Sequence, residues 1–288
     1  VTTRVAVRAQ AKLNLWLRVL AREESGYHAI ETLLHRIELA DDVIVALAPQ
    51  GQRYIECSVD VGPLHENLAY RAAELYCGAA DWPTGFHISI TKRIPARGGL
   101  GGGSADAAAT LLALNAMSPH TLDTDPLAEL GARLGADIAF LLTGSPSALA
   151  WARGDRMLEL PALPQMNVAL AVPTFGISTA DAYGSLPVEA ARPRQLTMSD
   201  LTSWNAVARN GGNDLSRSLR ALQEPGLARA VTAFRESGAI MAEMTGSGSV
   251  VFGVFEGQPD KGALELATGF QVVLTQTAVG VEALSRLD

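Results

Sequence analysis

The sequence predicts an α+β protein built from two units, and three observations carry that prediction. Val5, Val7, Ala9, Ala11, Leu13, Leu15 and Leu17 form a period-two apolar row, the mark of a long half-buried strand. Five glycines within residues 98–103 lead from a strand pattern into an Ala-rich helical stretch. Residues 168–275 run strand, helices, strand, strand, helix, strand, the split β-α-β order of a ferredoxin-like layer.

The elements follow in order. The face of the first strand opposite the apolar row carries Arg8, Gln10, Lys12, Asn14 and Trp16. Residues 22–28 read as a loop around Gly26, and strands are expected at 30–39 and 43–47. Helical spacing at 67–77 is followed by alternation at Phe86, Ile88 and Ile90. Ser104 is expected to begin a helix reaching about Met117, and Pro126 stands in the first turn of another that ends near Gly135. A short apolar helix or strand starts at Asp137, and residues 147–153 and 157–160 form a closing hairpin. Pro161 and Pro164 then punctuate the chain, so the division is expected as residues 1–160 and 161–288. Beyond it, helices are expected at 179–186, 199–209, 214–222, 227–237 and 261–267, with strands at 168–172, 240–244, 250–255 and 270–275.

Composition narrows the functional classes. With 288 residues, 48% hydrophobic and 18% charged, the chain buries a substantial core, which excludes disorder. Thirty acidic against 23 basic side chains leave a net charge of −7, so nucleic acid is a poor partner and any anionic ligand must meet a local cluster of donors. No apolar run approaches the roughly 20 residues of a membrane span, and the opening residues do not read as a secretory leader. Cys57 and Cys77 match no metal spacing and read as reduced thiols, so the expected location is cytoplasmic. The five histidines include no zinc-helix pair. Only Lys12, Lys92 and Lys261 are lysines among the 23 basic residues, which singles them out where a compact ammonium is needed.

The loop Pro95-Ala96-Arg97-Gly98-Gly99-Leu100-Gly101-Gly102-Gly103-Ser104-Ala105 carries the sharpest signal. Glycines let the backbone approach a ligand and turn amides toward it, and the following helix adds the positive end of its dipole. Strand, loop and helix together make a phosphate cradle. The pattern lacks the Gly-Lys-Ser/Thr of a P-loop, and Ser104 occupies the last glycine of a dinucleotide fingerprint, so both are rejected. Taken alone, Asp137 fits a helix cap, Lys12 and Lys92 fit solvated strand lysines, and Ser104 fits a cap as well as a phosphate contact.

The Gly-rich run resembles the second signature of the GHMP kinases. Ala11-Lys-Leu-Asn-Leu15, Gly26-Tyr-His28, Leu134-Gly-Ala-Asp137 and Thr245-Gly-Ser-Gly248 occur in the order of one branch, over essentially the whole chain. That branch phosphorylates a CDP-linked methylerythritol with ATP in the non-mevalonate route to isoprenoid precursors. The resemblance implies a ribosomal protein S5 domain 2-like N-terminal domain and a ferredoxin-like C-terminal domain, with the site between them. It assigns Asp137 as general base and Lys12 as its charge-stabilising partner. Asn14, Tyr27, His28, Thr179 and Tyr183 fall to the acceptor, with Tyr27 and Tyr183 sandwiching the base and His28 reading its edge. Asn67, Lys92 and the loop 95–105 fall to ATP, and Gly246, Ser247 and Gly248 to a closing turn. Magnesium is expected to travel on the ATP phosphates with no protein metal site, Asp106 included.

Gln10 and Ser25 depart from the branch pattern, where Pro and Asp are usual, and only local rigidity is expected to change. Two rivals remain. One is another GHMP kinase of the mevalonate or homoserine type; the other is a non-catalytic nucleotide- or RNA-associated module, disfavoured by the acidic charge.

Overall fold

Alternation over the first residues yields one long strand, β1 (Arg4–Arg22), in a computed structural model that describes residues 2–24, 27–60, 62–186 and 195–287. Next come β2 (His28–Leu47), β3 (Arg53–Cys57), α1 (Leu68–Ala80), β4 (Phe86–Thr91), α2 (Gly102–Met117), α3 (Thr124–Ala132), α4 (Ala136–Leu142) and the hairpin β5 (Ser147–Ala152) and β6 (Arg156–Leu160). The second half contains β7 (Asn167–Val172), α5 (Thr179–Gly184), α6 (Met198–Thr202), α7 (Trp204–Asn210), β8 (Gly212–Asn213) and α8 (Leu219–Leu222). It closes with α9 (Pro225–Glu236), β9 (Met241–Met244), β10 (Val251–Phe255), α10 (Lys261–Thr268), β11 (Gln271–Gln276) and β12 (Ser285–Arg286). Ser25 and Gly26, with the loop expectation placed on them, lie outside the described residues.

Two sheets organise these elements. The larger follows β12-β1-β2-β4-β3, with β5 on β2, β6 on β5 and β8 on β1. The smaller runs β11-β7-β10-β9, antiparallel throughout, as a ferredoxin-like layer requires. Alternation along β7 divides its side chains between two cores: Val168 and Leu170 join the core of the larger sheet, Ala169 and Ala171 that of α9 and α10. This shared sheet couples the two halves, and β8 and β12 return from the second half to pair with β1.

The expected half-buried first strand is instead buried on both faces from Ala9 to Leu17. α2 lies against it, and α7 and the residues following β8 pack on it as well, so Gln10, Lys12, Asn14 and Trp16 are enclosed. The expected pair of strands at 30–39 and 43–47 is one strand, β2. Asp41 and Asp42 fall in the expected gap, but the Asp41 carboxylate is satisfied by the Lys92 ammonium and the Arg93 and Ile94 amides, so the strand continues through it. The helix expected at 199–209 breaks at Ser203, whose extended backbone swings Trp204 inward to donate its indole N–H to the Pro164 carbonyl at 2.6 Å.

His35 makes the fold sensitive to acid. Its ring is fully buried beside Trp204, and its Nδ1–H donates to the Arg36 carbonyl at 2.8 Å. Because that acceptor has no proton to give, the proton sits on Nδ1 and leaves Nε2 bare and unpartnered among the described residues. Burial pushes the imidazole down from 6.5 to about 4, the Arg36 bond partly opposing. The unfolded imidazole therefore takes up a proton that the folded one refuses, and stability falls as pH drops from 6.5 toward 4. The loss from this group reaches about 3 kcal/mol. Urea midpoints between neutral pH and pH ~4.5 are expected to fall less in His35→Gln than in the parent; an unchanged slope contradicts the assignment.

Candidate active site

Strand periodicity places Lys12 and Asn14 on the same face of β1, and the structure joins them: the Lys12 Nζ donates to Asn14 Oδ1 at 2.7 Å. The same ammonium lies 3.1 Å from Asp137 Oδ2. Lys12 is 3% exposed, whereas the Asp137 side chain is 36% exposed, so the pair has a buried cation and an open carboxylate. Among the described residues nothing hydrogen-bonds the other Asp137 oxygen. Asp137 is the second residue of α4, and Gly135 stands at the cap position, so the aspartate is not the cap that its sequence position also allowed.

The Gly-rich loop is fastened to this pair from both halves. The Lys12 amide donates to the Leu100 carbonyl at 3.0 Å, and the Val250 amide donates to Gly98 O at 3.2 Å. Thr245, missed in the sequence beside its glycines, is fully buried; its hydroxyl accepts the Asn14 amide at 3.0 Å and lies 3.5 Å from Gly99 O. Asn213, also missed, donates from its amide to Met244 O and Gly246 O at 2.7 Å, holding the turn in place. Gly99 (φ 78°) and Gly101 (φ 72°) adopt the left-handed backbone that L-residues resist. A Cβ on Gly101 would stand 3.1 Å from the Lys12 Cε and Cγ atoms, so the loop passes directly over the lysine stem.

α2 begins at Gly102, with Gly101 at the cap position and no side-chain cap. Its first amides, which helix geometry leaves without acceptors, are therefore available to a ligand. The expected start at Ser104 moves two residues earlier, and Ser104 lines the cavity from the first turn. That is how these residues fit a phosphate: glycines where a Cβ would intrude, and open amides at the positive end of a 16-residue helix.

A cavity of ≈ 980 Å³ contains the Lys12–Asp137 pair. Of the expected ATP residues, Arg97, Gly99, Gly101 and Ser104 lie on its wall. Pro95, Ala96, Gly98 and Leu100 complete the loop and Gly102, Gly103 and Ala105 belong to the start of α2, with the Leu100 side chain buried. Asn67 and Lys92 stand off the cavity. The Asn67 side-chain Oδ1 caps α1, accepting from Ala69 N at 2.9 Å, and its Nδ2 faces Cys57 Sγ at 3.9 Å. The Lys92 ammonium is held by Asp41 and by Asp106 Oδ2, 2.6 Å from the latter. Burial works against its charge, and the two carboxylates outweigh burial and hold the ammonium above its ordinary range. Asp106 is pushed upward chiefly by burial, against Lys92, and its Oδ1 has no partner among the described residues. This triad closes the base of the loop, from the strand end at Lys92 to α2.

The expected acceptor residues Asn14, Tyr27, His28, Thr179 and Tyr183 all line the same cavity, as do Gly246, Ser247 and Gly248. Thr179 and Ser247 hydroxyls meet at 3.2 Å, tying α5 to the turn. Tyr183 packs on His28, with ring centroids 5.0 Å apart and planes at 30°. Tyr27 is 61% exposed, with the Arg153 guanidinium 4.4 Å from its ring centroid. Burial pushes the Tyr183 phenol up to about 12, and the Asp137 charge adds to that shift. Burial, then the Arg22 charge, lowers His28 from 6.5, leaving a neutral imidazole with one donor and one acceptor at neutral pH. Among the described residues no cluster of three His, Cys, Asp or Glu side chains could hold a metal.

Known proteins resemble this chain in sequence and in fold. Residues 67–145 match the GHMP kinases N terminal domain, and residues 196–271 match the GHMP kinases C terminal domain. A 4-diphosphocytidyl-2-C-methyl-D-erythritol kinase from Shouchella clausii (strain KSM-K16) is 38% identical over 87% of this chain and 86% of its own. One from Desulfitobacterium hafniense (strain Y51) is 36% identical over 89% of each chain. A crystal structure of 4-(cytidine 5'-diphospho)-2C-methyl-D-erythritol kinase superposes with a TM-score of 0.78 at 34% identity, covering 94% of this chain and 98% of that one. The homoserine kinase of Cytophaga hutchinsonii ATCC 33406 shares the fold at a TM-score of 0.75 with 18% identity, covering 98% of this chain and 96% of its own.

Proposed function

Because the chain belongs to the 4-diphosphocytidyl-2-C-methyl-D-erythritol kinase family of the GHMP kinases, we propose that it moves the γ-phosphoryl group of ATP to the 2-hydroxyl of 4-diphosphocytidyl-2-C-methyl-D-erythritol, in the non-mevalonate route to isoprenoid precursors. One observation carries the chemistry: the Lys12–Asp137 pair, 3.1 Å apart, opens into a cavity shared by the Gly-rich loop and the Tyr27, His28 and Tyr183 side chains.

In this reading the Asp137 carboxylate takes the proton from the acceptor hydroxyl as its oxygen forms the new bond to γ-phosphorus, and the bond to the ADP oxygen breaks. Lys12, fixed by Asn14, counters the negative charge gathering on the acceptor oxygen and the moving phosphoryl group. The amides of the Gly-rich loop and the first turn of α2 hold the phosphates, and magnesium arrives on them. Tyr27, His28 and Tyr183 hold the cytidine, with Thr179 and the 246–248 turn over the reacting end. We place the domain division in the 161–164 connection and the enzyme in the cytoplasm; two free thiols and the absence, among the described residues, of a helix able to cross a membrane support that location.

Arg97 supplies a direct test of the ATP wall. Its φ of 56° is strained for a side-chain-bearing residue, and its cation has no carboxylate partner among the described residues, unlike Lys12, Arg153 and Arg220 on the same cavity. Arg97→Gly is expected to raise the KM for ATP about tenfold while raising stability by about 1 kcal/mol as the backbone relaxes. An unchanged KM removes Arg97 from the ATP site.

The cytidine wall separates this function from a mevalonate- or homoserine-type kinase. CDP is expected to inhibit competitively against the acceptor, and Tyr183→Ala to weaken that inhibition by about tenfold. Absence of CDP inhibition points to an acceptor without a nucleotide.

A further inference from the structure

Arg36 is a buried cation beside the reacting pair that takes no part in the chemistry above. It is 3% exposed and stands opposite Lys12 in the β1–β2 register, so both side chains leave the sheet on the same side. Among the described residues no carboxylate lies within ion-pair distance of its guanidinium. Its acceptors are backbone carbonyls: Nη2 donates to Phe140 O at 3.1 Å and Thr143 O at 3.0 Å, and Nε donates to Ser145 O at 3.1 Å. Phe140 lies in the last turn of α4, Thr143 is its C-cap, and the guanidinium carbon stands 5.0 Å from the Phe140 ring centroid.

The seven-residue α4 is thus held at both ends by neighbouring residues of two paired strands. At its N-terminal end Asp137 meets Lys12 on β1, and at its C-terminal end the carbonyls meet Arg36 on β2. A helix this short has little stability of its own, so its seat is set by what grips it. A cation at a helix C-terminus answers the partial negative charge there, which compensates in part for burying a guanidinium without a counter-ion. Burial lowers Arg36 from 12.5 to about 10, the Glu159 charge opposing, and the group stays positive at neutral pH.

We propose that Arg36 is a positioning residue for phosphoryl transfer: by gripping the C-terminal carbonyls of α4 it fixes where the helix lies on the sheet, and so the placement of Asp137 against Lys12 and the acceptor hydroxyl. The assignment rests on Asp137 acting as the general base. Misplacing a catalytic group by about 1 Å can cost on the order of 10²-fold in rate, so the effect belongs in turnover rather than in binding.

The test is a double-variant cycle on the full chain, with circular dichroism and active-site titration by CDP. Arg36→Met is expected to lower kcat at least about tenfold, with the KM for ATP and the dissociation constant of CDP held within about twofold. Arg36→Lys, which keeps the charge and reaches a carbonyl, recovers part of the loss. In an Asp137→Asn background Arg36→Met is expected to change the residual rate by less than about twofold, because the route through the carboxylate is already closed. An equal loss in both backgrounds, or wild-type kcat in Arg36→Met, overturns the proposal. If Arg36→Met does not fold, Arg36→Lys carries the same cycle with a severalfold loss expected and the same overturning outcomes. Wild-type turnover in Asp137→Asn alone rejects instead the general-base reading beneath it.

Discussion

Asp137→Asn is expected to lower kcat by about 10²–10⁴-fold, the usual range for removing a general base. The variant keeps an oxygen acceptor for the Lys12 ammonium, and the site is half-exposed, so folding is expected to survive. ATP and CDP binding are expected to change little, because neither contact runs through the carboxylate. Lys12→Met is expected to cost a comparable factor, since it removes the charge that opposes developing negative charge while preserving the volume of a buried stem. The carboxylate left behind is open enough to find water. Steady-state kinetics with circular dichroism as the folding control decide both cases; near-wild-type turnover in either well-folded variant removes that residue from the chemistry.

Gly99→Ala is expected to have the second large effect, on stability as much as on rate. Its φ of 78° penalises any Cβ, and the added carbon would overlap the Thr245 carbonyl oxygen, which is backbone with little freedom to retreat. Left-handed strain of about 1–2 kcal/mol adds to overpacking of about 1–3 kcal/mol. The loss falls where the Gly-rich loop meets the 245–248 turn, the joint between the two halves. Gly101→Ala is milder in packing, because its Cβ meets flexible Lys12 methylenes at 3.1 Å, yet it displaces the reacting ammonium. Both variants carry the left-handed strain, so Gly99→Ala is expected to lose more thermal midpoint than Gly101→Ala, whose larger loss falls in kcat. Equal melting of Gly99→Ala and the parent contradicts the close approach of loop and turn.

Local pattern accounts for what the sequence made readable. Period-two alternation announced β1, and the order of elements in the second half announced the four-stranded layer, because each depends on neighbours a few residues apart. The Gly-rich loop was legible for the same reason. The both-sided burial of β1 was not, since it comes from α2 and α7 closing over residues whose alternation is that of a half-exposed strand. Lys92 is the instructive case in the site. Beside a glycine loop it reads as a phosphate ligand, but Asp41, 51 residues away on β2, and Asp106 hold it, and nothing local in Asp41-Asp42 distinguishes that acceptor from a turn. Arg36 was invisible because its partners are carbonyls, which every residue carries. Thr245 had a signal: it opens the Thr-Gly-Ser-Gly turn, where a hydroxyl can bond backbone on both sides.

The most direct measurement offers the protein and ATP, in parallel, 4-diphosphocytidyl-2-C-methyl-D-erythritol, mevalonate and homoserine, following ADP release and locating the new phosphate by phosphorus NMR. The account predicts ADP release with the CDP-linked alcohol alone, a phosphate on its 2-hydroxyl, and loss of that signal in Asp137→Asn. Turnover of mevalonate or homoserine with none of the CDP-linked alcohol contradicts it.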